Sequence, residues 1–83
     1  MKITLKLFAT LSDRLPANSV ANAVEVEVPD GATATQVIDQ FQVPQEMVHL
    51  VLVNGVYLAP EARGTQALNP RDALAIWPPV AGG

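Results

Sequence analysis

The chain contains no cysteine. No disulfide framework can form, and no side-chain thiol can serve as nucleophile, zinc ligand or persulfide carrier. A thiol-free chain suits the cytosol, so a cytoplasmic location is the expectation. Basic residues are scarce: five Lys and Arg stand against eight Asp and Glu, for a formal net charge of −3. That balance argues against nucleic acid and against anionic membrane as partners. It suits a partner with a basic pocket. His49 is the single histidine, so no histidine-based metal cluster can be assembled and no metal site is expected. Ser12 and Ser19 lack any arrangement recognisable as a triad. The five glycines are dispersed except for a final pair, so no phosphate-cradling loop is present. No apolar run is long enough to span a membrane. The opening Met1 to Phe8 alternates polar and apolar residues, which a signal peptide does not do.

What remains is a composition that folds. Of 83 residues, 49% are hydrophobic and 16% charged, which fits one small domain. A chain this short buries only ~60% of the surface its unfolded form exposes, so its stability is modest.

Period-two alternation predicts a first strand over residues 3–8, with Ile3, Leu5 and Leu7 on one face and Thr4, Lys6 and Phe8 on the other. Leu11 and Leu15, four apart, predict a short helix over residues 9–15 that Pro16 ends. Residues 16–23 read as loop. Val24-Glu25-Val26-Glu27-Val28 alternates strictly, and its glutamates are outer-face charges rather than paired catalytic carboxylates. Pro29-Asp30-Gly31 is a turn. Thr33-Ala34-Thr35-Gln36 fits a capping box, opening a helix to about Phe41 that buries Val37, Ile38 and Phe41. Pro44 stops it, with one further turn over 44–49. Asn54-Gly55 between Leu50–Val53 and Val56–Leu58 is a strong hairpin signal, because both turn residues need φ > 0. Residues 60–72 read as loop with a helical turn near Ala67 and Leu68. Ala73–Trp77 is the last strand.

The order β, α, β, α, β-hairpin, β predicts an α+β fold: a ubiquitin-like β-grasp. Its mixed sheet has about five strands, with strands one and five central and the helices packed on one face. The domain is expected over residues 1–77, with residues 78–83 a flexible tail.

Strand parity then predicts a surface. If Ile3, Leu5, Leu7, Leu74 and Ile76 face the core, Phe8 and Trp77 face away. If Val51, Val53, Val56 and Leu58 are core, Leu52 and Tyr57 face outward. Three of the four aromatic residues therefore fall on the face away from the helices. A contiguous apolar patch on a small domain marks a partner interface, and Trp and Tyr dominate binding hot spots. The competing expectation is that Phe8 and Trp77 wrap over the sheet edges or cover one another as local packing.

Gly82-Gly83 offers no side chain to a fold but makes a thread thin enough for a channel that excludes any Cβ. Pro78-Pro79 favours an extended path that holds the thread away from the body. With no catalytic constellation in the body, the Gly83 carboxylate is the group that stands out. ATP can convert such a carboxylate to an acyl adenylate. An amine then yields an amide-linked modifier, and a sulfur donor yields a thiocarboxylate. The chain has no ATP-binding signature, so it binds no cofactor itself, and Mg-ATP belongs to a separate activating enzyme.

The stretch Ala75-Ile76-Trp77-Pro78-Pro79-Val80-Ala81-Gly82-Gly83, the opening Leu5-Lys6-Leu7-Phe8-Ala9-Thr10-Leu11 and the hairpin Val53-Asn54-Gly55 resemble the small-subunit family of molybdopterin synthase, ubiquitin-like sulfur carriers. The resemblance covers essentially the whole chain apart from residues 16–23. It implies adenylation of Gly83 by an E1-like enzyme, conversion to a thiocarboxylate, and insertion of the tail (Pro78, Pro79, Val80, Ala81, Gly82, Gly83) into the large synthase subunit. Sulfur delivered there builds the dithiolene of molybdopterin. The family's interface positions match Phe8, Tyr57 and Trp77. Two departures stand out. Trp77 replaces a common Phe, and the usual Asp-Gly-Asp turn reads Pro70-Arg71-Asp72, whose missing glycine implies a different turn type. Gly-Gly alone is shared with sulfur carriers for thiazole synthesis, tRNA thiolation or cysteine synthesis, and with ubiquitin-like modifiers. Those roles are the alternatives.

Overall fold

The computed structural model describes residues 1–79, so residues 80–83 of the expected tail 78–83 lie outside the described residues. Five strands form one sheet: β1 (Lys2–Leu7), β2 (Ala23–Glu27), β3 (Leu50–Val53), β4 (Val56–Tyr57) and β5 (Ala73–Trp77). The order across the sheet is β2-β1-β5-β3-β4. As expected, β1 and β5 lie side by side near the centre and run parallel, while the other neighbours are antiparallel. One helix, α1 (Ala34–Gln40), packs its Ala34, Val37 and Ile38 into a core shared with Ile3, Leu5, Leu7, Val51, Leu74 and Ile76. This is the mixed-sheet β-grasp arrangement that the element order implied.

Local chemistry explains the elements. The capping box forms: Gln36 N–H donates to Thr33 Oγ1 at 3.3 Å and Thr33 N–H donates to Gln36 Oε1 at 2.9 Å. The two exchanged bonds satisfy donors that the first helical turn would leave orphaned. Asn54 (φ 53°) and Gly55 (φ 82°) are both left-handed, and Val53 pairs with Val56 and Leu52 with Tyr57. That is the two-residue hairpin read from Asn-Gly.

Several expectations need correction. The segment after β1 is a 3-10 helix over Ala9–Arg14, with Leu11 buried. A second 3-10 turn covers Gln45–Met47, within the predicted span. The helical turn in the long loop is at Pro60–Ala62, not near Ala67; Ala67 makes a lone β-bridge to Thr33, and Leu68 is buried. The expected loop 16–23 contains a tight turn. Val20 and Ala23 exchange both backbone bonds (2.8 and 3.0 Å) around left-handed Ala21 and Asn22.

Val56, expected in the core, is 69% exposed. Its partner Val53 is half-buried and Leu58, past the strand, is buried. Parity places Val56 on the inner face, but the two-residue edge strand carries it past the core. The turn before β5 also differs from expectation. Asp72 N–H donates to Asn69 C=O at 3.1 Å, with Pro70 and Arg71 between them. Arg71 has φ 70°. A hydrogen-bonded turn with proline second and a left-handed third residue meets the requirement of a type II turn. The left-handed residue that the family's glycine would favour is thus kept without the glycine.

Candidate functional site

The outer face of the sheet carries the predicted patch. Leu5, Leu7, Leu74 and Ile76 are fully buried, so the alternate residues of β1 and β5 point away from α1. Register sets them in rows. Leu50 pairs with Trp77, with Phe8 beside them at the end of β1. The next row runs Ala23, Lys6, Ala75, Leu52, Tyr57 across all the strands. The third opens with Glu25, Thr4 and Ala73.

Phe8 and Trp77 stack, with ring centroids 4.3 Å apart and planes 5° apart. Both remain half-buried, so stacking covers one face of each ring and leaves the pair partly accessible. Phe8 and Trp77 thus cover one another in part and still present surface on the outer face. Such pairs contribute about 0.5–1.5 kcal/mol beyond their area. Tyr57 is 56% exposed, Leu50 and Leu52 are half-buried, and Ala75 fills the floor between Lys6 and Leu52.

Backbone bonds hold this platform. Phe8 N–H donates to Ile76 C=O at 3.2 Å, and His49 N–H donates to Trp77 C=O at 3.0 Å. Ala9, directly after Phe8, has φ 53°, a strained conformation for alanine. Ser12 Oγ donates to the Ala9 carbonyl at 2.8 Å and helps hold it. Arg63 is buried, and its guanidinium donates from Nε to Leu58 C=O and from Nη2 to His49 C=O, both at 3.2 Å. His49 is thus held on one side by Arg63 and on the other by the carbonyl of Trp77. Pro78 is buried and Pro79 exposed. Val80, Ala81, Gly82 and Gly83 fall outside the described residues.

The structure therefore brings Phe8, Leu52, Tyr57 and Trp77 to one face. Sequence reasoning singled out neither Leu50, Lys6 nor Arg63. Parity with Phe8 places Lys6 on the outer face, and the pairing of β3 with β5 adds Leu50. Nothing in the local sequence marks Arg63, a lone arginine in a loop. Among the described residues there is no pocket and no group of three or more metal-ligating side chains. No described helix is long and apolar enough to cross a membrane. At the opposite end of β1 lies the chain's first residue, Met1, beside two carboxylates. The Met1 ammonium is raised above its ordinary 8.0, chiefly by its hydrogen bond to Asp30. Asp30 lies 3.1 Å away and Glu27 3.4 Å.

Comparison with known proteins adds to this geometry. A family model described as the ThiS family matches residues 5–83. No curated protein sequence matches the chain. Among solved structures, SAMP1 from Haloferax volcanii is 29% identical, with all of both chains covered and a TM-score of 0.70. The H. volcanii small archaeal modifier protein 1 is 28% identical over 95% of this chain and 98% of that one, with a TM-score of 0.68. A Pyrococcus furiosus protein, described as a provisional molybdopterin converting factor subunit 1, is 22% identical over 95% and 98%, with a TM-score of 0.66. At that identity the last likeness speaks for the fold alone.

Proposed function

The chain belongs to the ThiS family, and from that premise we propose that it is a sulfur carrier whose Gly83 carboxylate is the working group. An E1-like enzyme uses Mg-ATP to adenylate that carboxylate and releases pyrophosphate. A sulfur nucleophile then displaces AMP to leave a thiocarboxylate. The sulfur goes to the large subunit of molybdopterin synthase, where it builds the dithiolene of molybdopterin. The chain is the sulfur-donating subunit of that sulfurtransferase and binds no cofactor itself.

The family match running through to Gly83 carries the reading. Pro78-Pro79-Val80-Ala81-Gly82-Gly83 supports the molybdopterin pathway over thiazole, tRNA or cysteine pathways. Phe8, Leu52, Tyr57 and Trp77 supply the docking surface. Six residues span at most about 20 Å when extended. A partner that docks on the platform therefore has its reacting centre within that radius of Trp77. A second reading, protein modification through an amide at Gly83, is favoured by the likeness to the small archaeal modifier protein.

The test is the intact mass of the protein after incubation with its activating enzyme, Mg-ATP and sulfide. Exchange of one oxygen for sulfur at Gly83 is expected. Adding the large subunit and pterin precursor then identifies the pathway. No mass change with an active enzyme, or isopeptide links from Gly83 to lysines, would refute the carrier reading. A residue appended after Gly83 should abolish transfer and leave the fold intact.

A further inference from the structure

Lys6 occupies an unusual place on the outer face. It sits in the middle row, between Ala23 on β2 and Ala75 on β5. Its neighbours along β1 on that face are Thr4 and Phe8. Among the described residues no carboxylate lies within ion-pair distance of it, and no aromatic ring forms a cation–π contact with it. The outer-face glutamates belong to other rows: Glu25 is opposite Thr4 and Glu27 is opposite Lys2. In a chain of net charge −3, Lys6 is half-buried as a residue and its ammonium is unpaired among the described residues.

Its distance from the platform decides what docking does to it. Lys6 is two residues from Phe8 along one strand, about 7 Å, and two strands from Leu52, about 10 Å. A standard interface covers about 800 Å² per partner, a patch roughly 30 Å across. A surface seated on Phe8, Trp77, Leu52 and Tyr57 therefore encloses Lys6. Removing an unpaired ammonium from water opposes binding, whereas a facing carboxylate converts it to a charge-assisted hydrogen bond. Its flanking alanines supply no polar group that could do this from within the chain.

We propose that the activating enzyme presents an Asp or Glu carboxylate to Lys6, within the docked face and to one side of the aromatic platform. This deepens the carrier reading above and rests on it. The enzyme then shows two opposite features to one small protein: an acidic group for Lys6 and a basic pocket for the tail carboxylate. That pairing fixes the orientation in which the tail enters, because rotating the sheet on the platform would leave both charges unmatched.

The experiment uses the full chain and the E1-like adenylating enzyme of the same organism. ATP–pyrophosphate exchange gives KM for the carrier with no need for a sulfur donor. Lys6→Glu is expected to raise KM at least about 30-fold. Lys6→Met is expected to raise it roughly 5-fold or more, and Lys6→Arg should stay near wild type. The sign of the Met effect is decisive. Without a facing carboxylate, Met is easier to bury than Lys and KM would stay level or fall. Thermal unfolding of each variant checks the fold, and Lys6→Gln substitutes for any that fails. A carboxylate-to-Lys change on the enzyme should restore binding of Lys6→Glu. If Lys6→Glu and Lys6→Met leave KM within twofold while Trp77→Ala raises it, the carboxylate is absent and the docking reading survives. If Trp77→Ala also has no effect, both fall.

Discussion

Replacing Arg71 by glycine should stabilise this protein. Arg71 is the third residue of the turn Asn69–Asp72, with φ 70°. An L-residue with a Cβ costs roughly 1–2 kcal/mol in that conformation, and glycine removes the cost. Glycine also enlarges the unfolded ensemble, which returns about 0.4–1 kcal/mol. The expected net gain is about 0.5–1 kcal/mol. For a domain of this size that raises Tm by roughly 3–6 °C. The side chain contributes little to the balance, since Arg71 is exposed and makes no side-chain hydrogen bond or ion pair with another described residue. Its backbone N–H bond to Lys2 C=O, 2.7 Å, is available to glycine as well. Calorimetry on Arg71→Gly, Arg71→Ala and Gly55→Ala separates the contributions. Arg71→Ala keeps the strain and should stay within about 0.5 kcal/mol of wild type. Gly55 has φ 82°, and nothing lies within 4 Å of where a Cβ would sit, so alanine there meets backbone strain alone and should cost about 1 kcal/mol. An Arg71→Gly protein no more stable than wild type would refute the reasoning, and a gain matched by Arg71→Ala would assign the cost to the side chain.

Arg63→Met should destabilise the domain by about 2–3 kcal/mol in chemical denaturation, because it strips two main-chain carbonyls of their guanidinium donor; a change below about 0.5 kcal/mol would mean that water replaces both bonds. The raised Met1 ammonium gives a pH dependence. A folded-state pKa above the unfolded one adds stability that is fully present below pH about 8 and is lost as pH rises through the folded value. Tm should therefore decline above that pH, and Asp30→Asn should flatten the decline; parallel curves for the two proteins would remove Asp30 as the cause.

The readable parts of this sequence share a feature: a local rule with one dominant outcome. Asn54-Gly55 fixed the hairpin register because both residues accept φ > 0 cheaply. Thr33 and Gln36 placed the start of α1 through bonds between neighbours. Alternation placed Phe8, Leu52, Tyr57 and Trp77 on one face because a strand leaves its side chains only two directions. The failures arise where the outcome depends on distant structure. Val56 has the right parity for the core, but parity says nothing of how far the core reaches beneath a two-residue edge strand. Ala21 and Arg71 adopt left-handed backbone without glycine, which surrounding hydrogen bonds impose against local preference. Arg63 is buried because the carbonyls of Leu58 and His49, five and fourteen residues away, converge on it.

That division bears on the site itself. The apolar members of the patch follow from alternation, so any sequence that folds this way and keeps those residues presents them. What the platform recognises depends on relations across strands. Trp77 pairs with Leu50, lies beside Phe8, and is the last residue of β5, from which residues 78–83 continue. Docking on Trp77 therefore limits where Gly83 can go, through about 20 Å of chain at most. Lys6 then sets the rotation of the docked face, because an off-centre charge distinguishes orientations that an apolar surface alone would accept. A partner can be held by the aromatic pair and still misdirect the tail. Lys6→Met should accordingly slow transfer per bound carrier as well as weaken binding, whereas Tyr57→Ala should weaken binding alone. Single-turnover adenylation at saturating enzyme measures the difference. Equal single-turnover rates for wild type and Lys6→Met would show that the tail finds its channel without help from the charge.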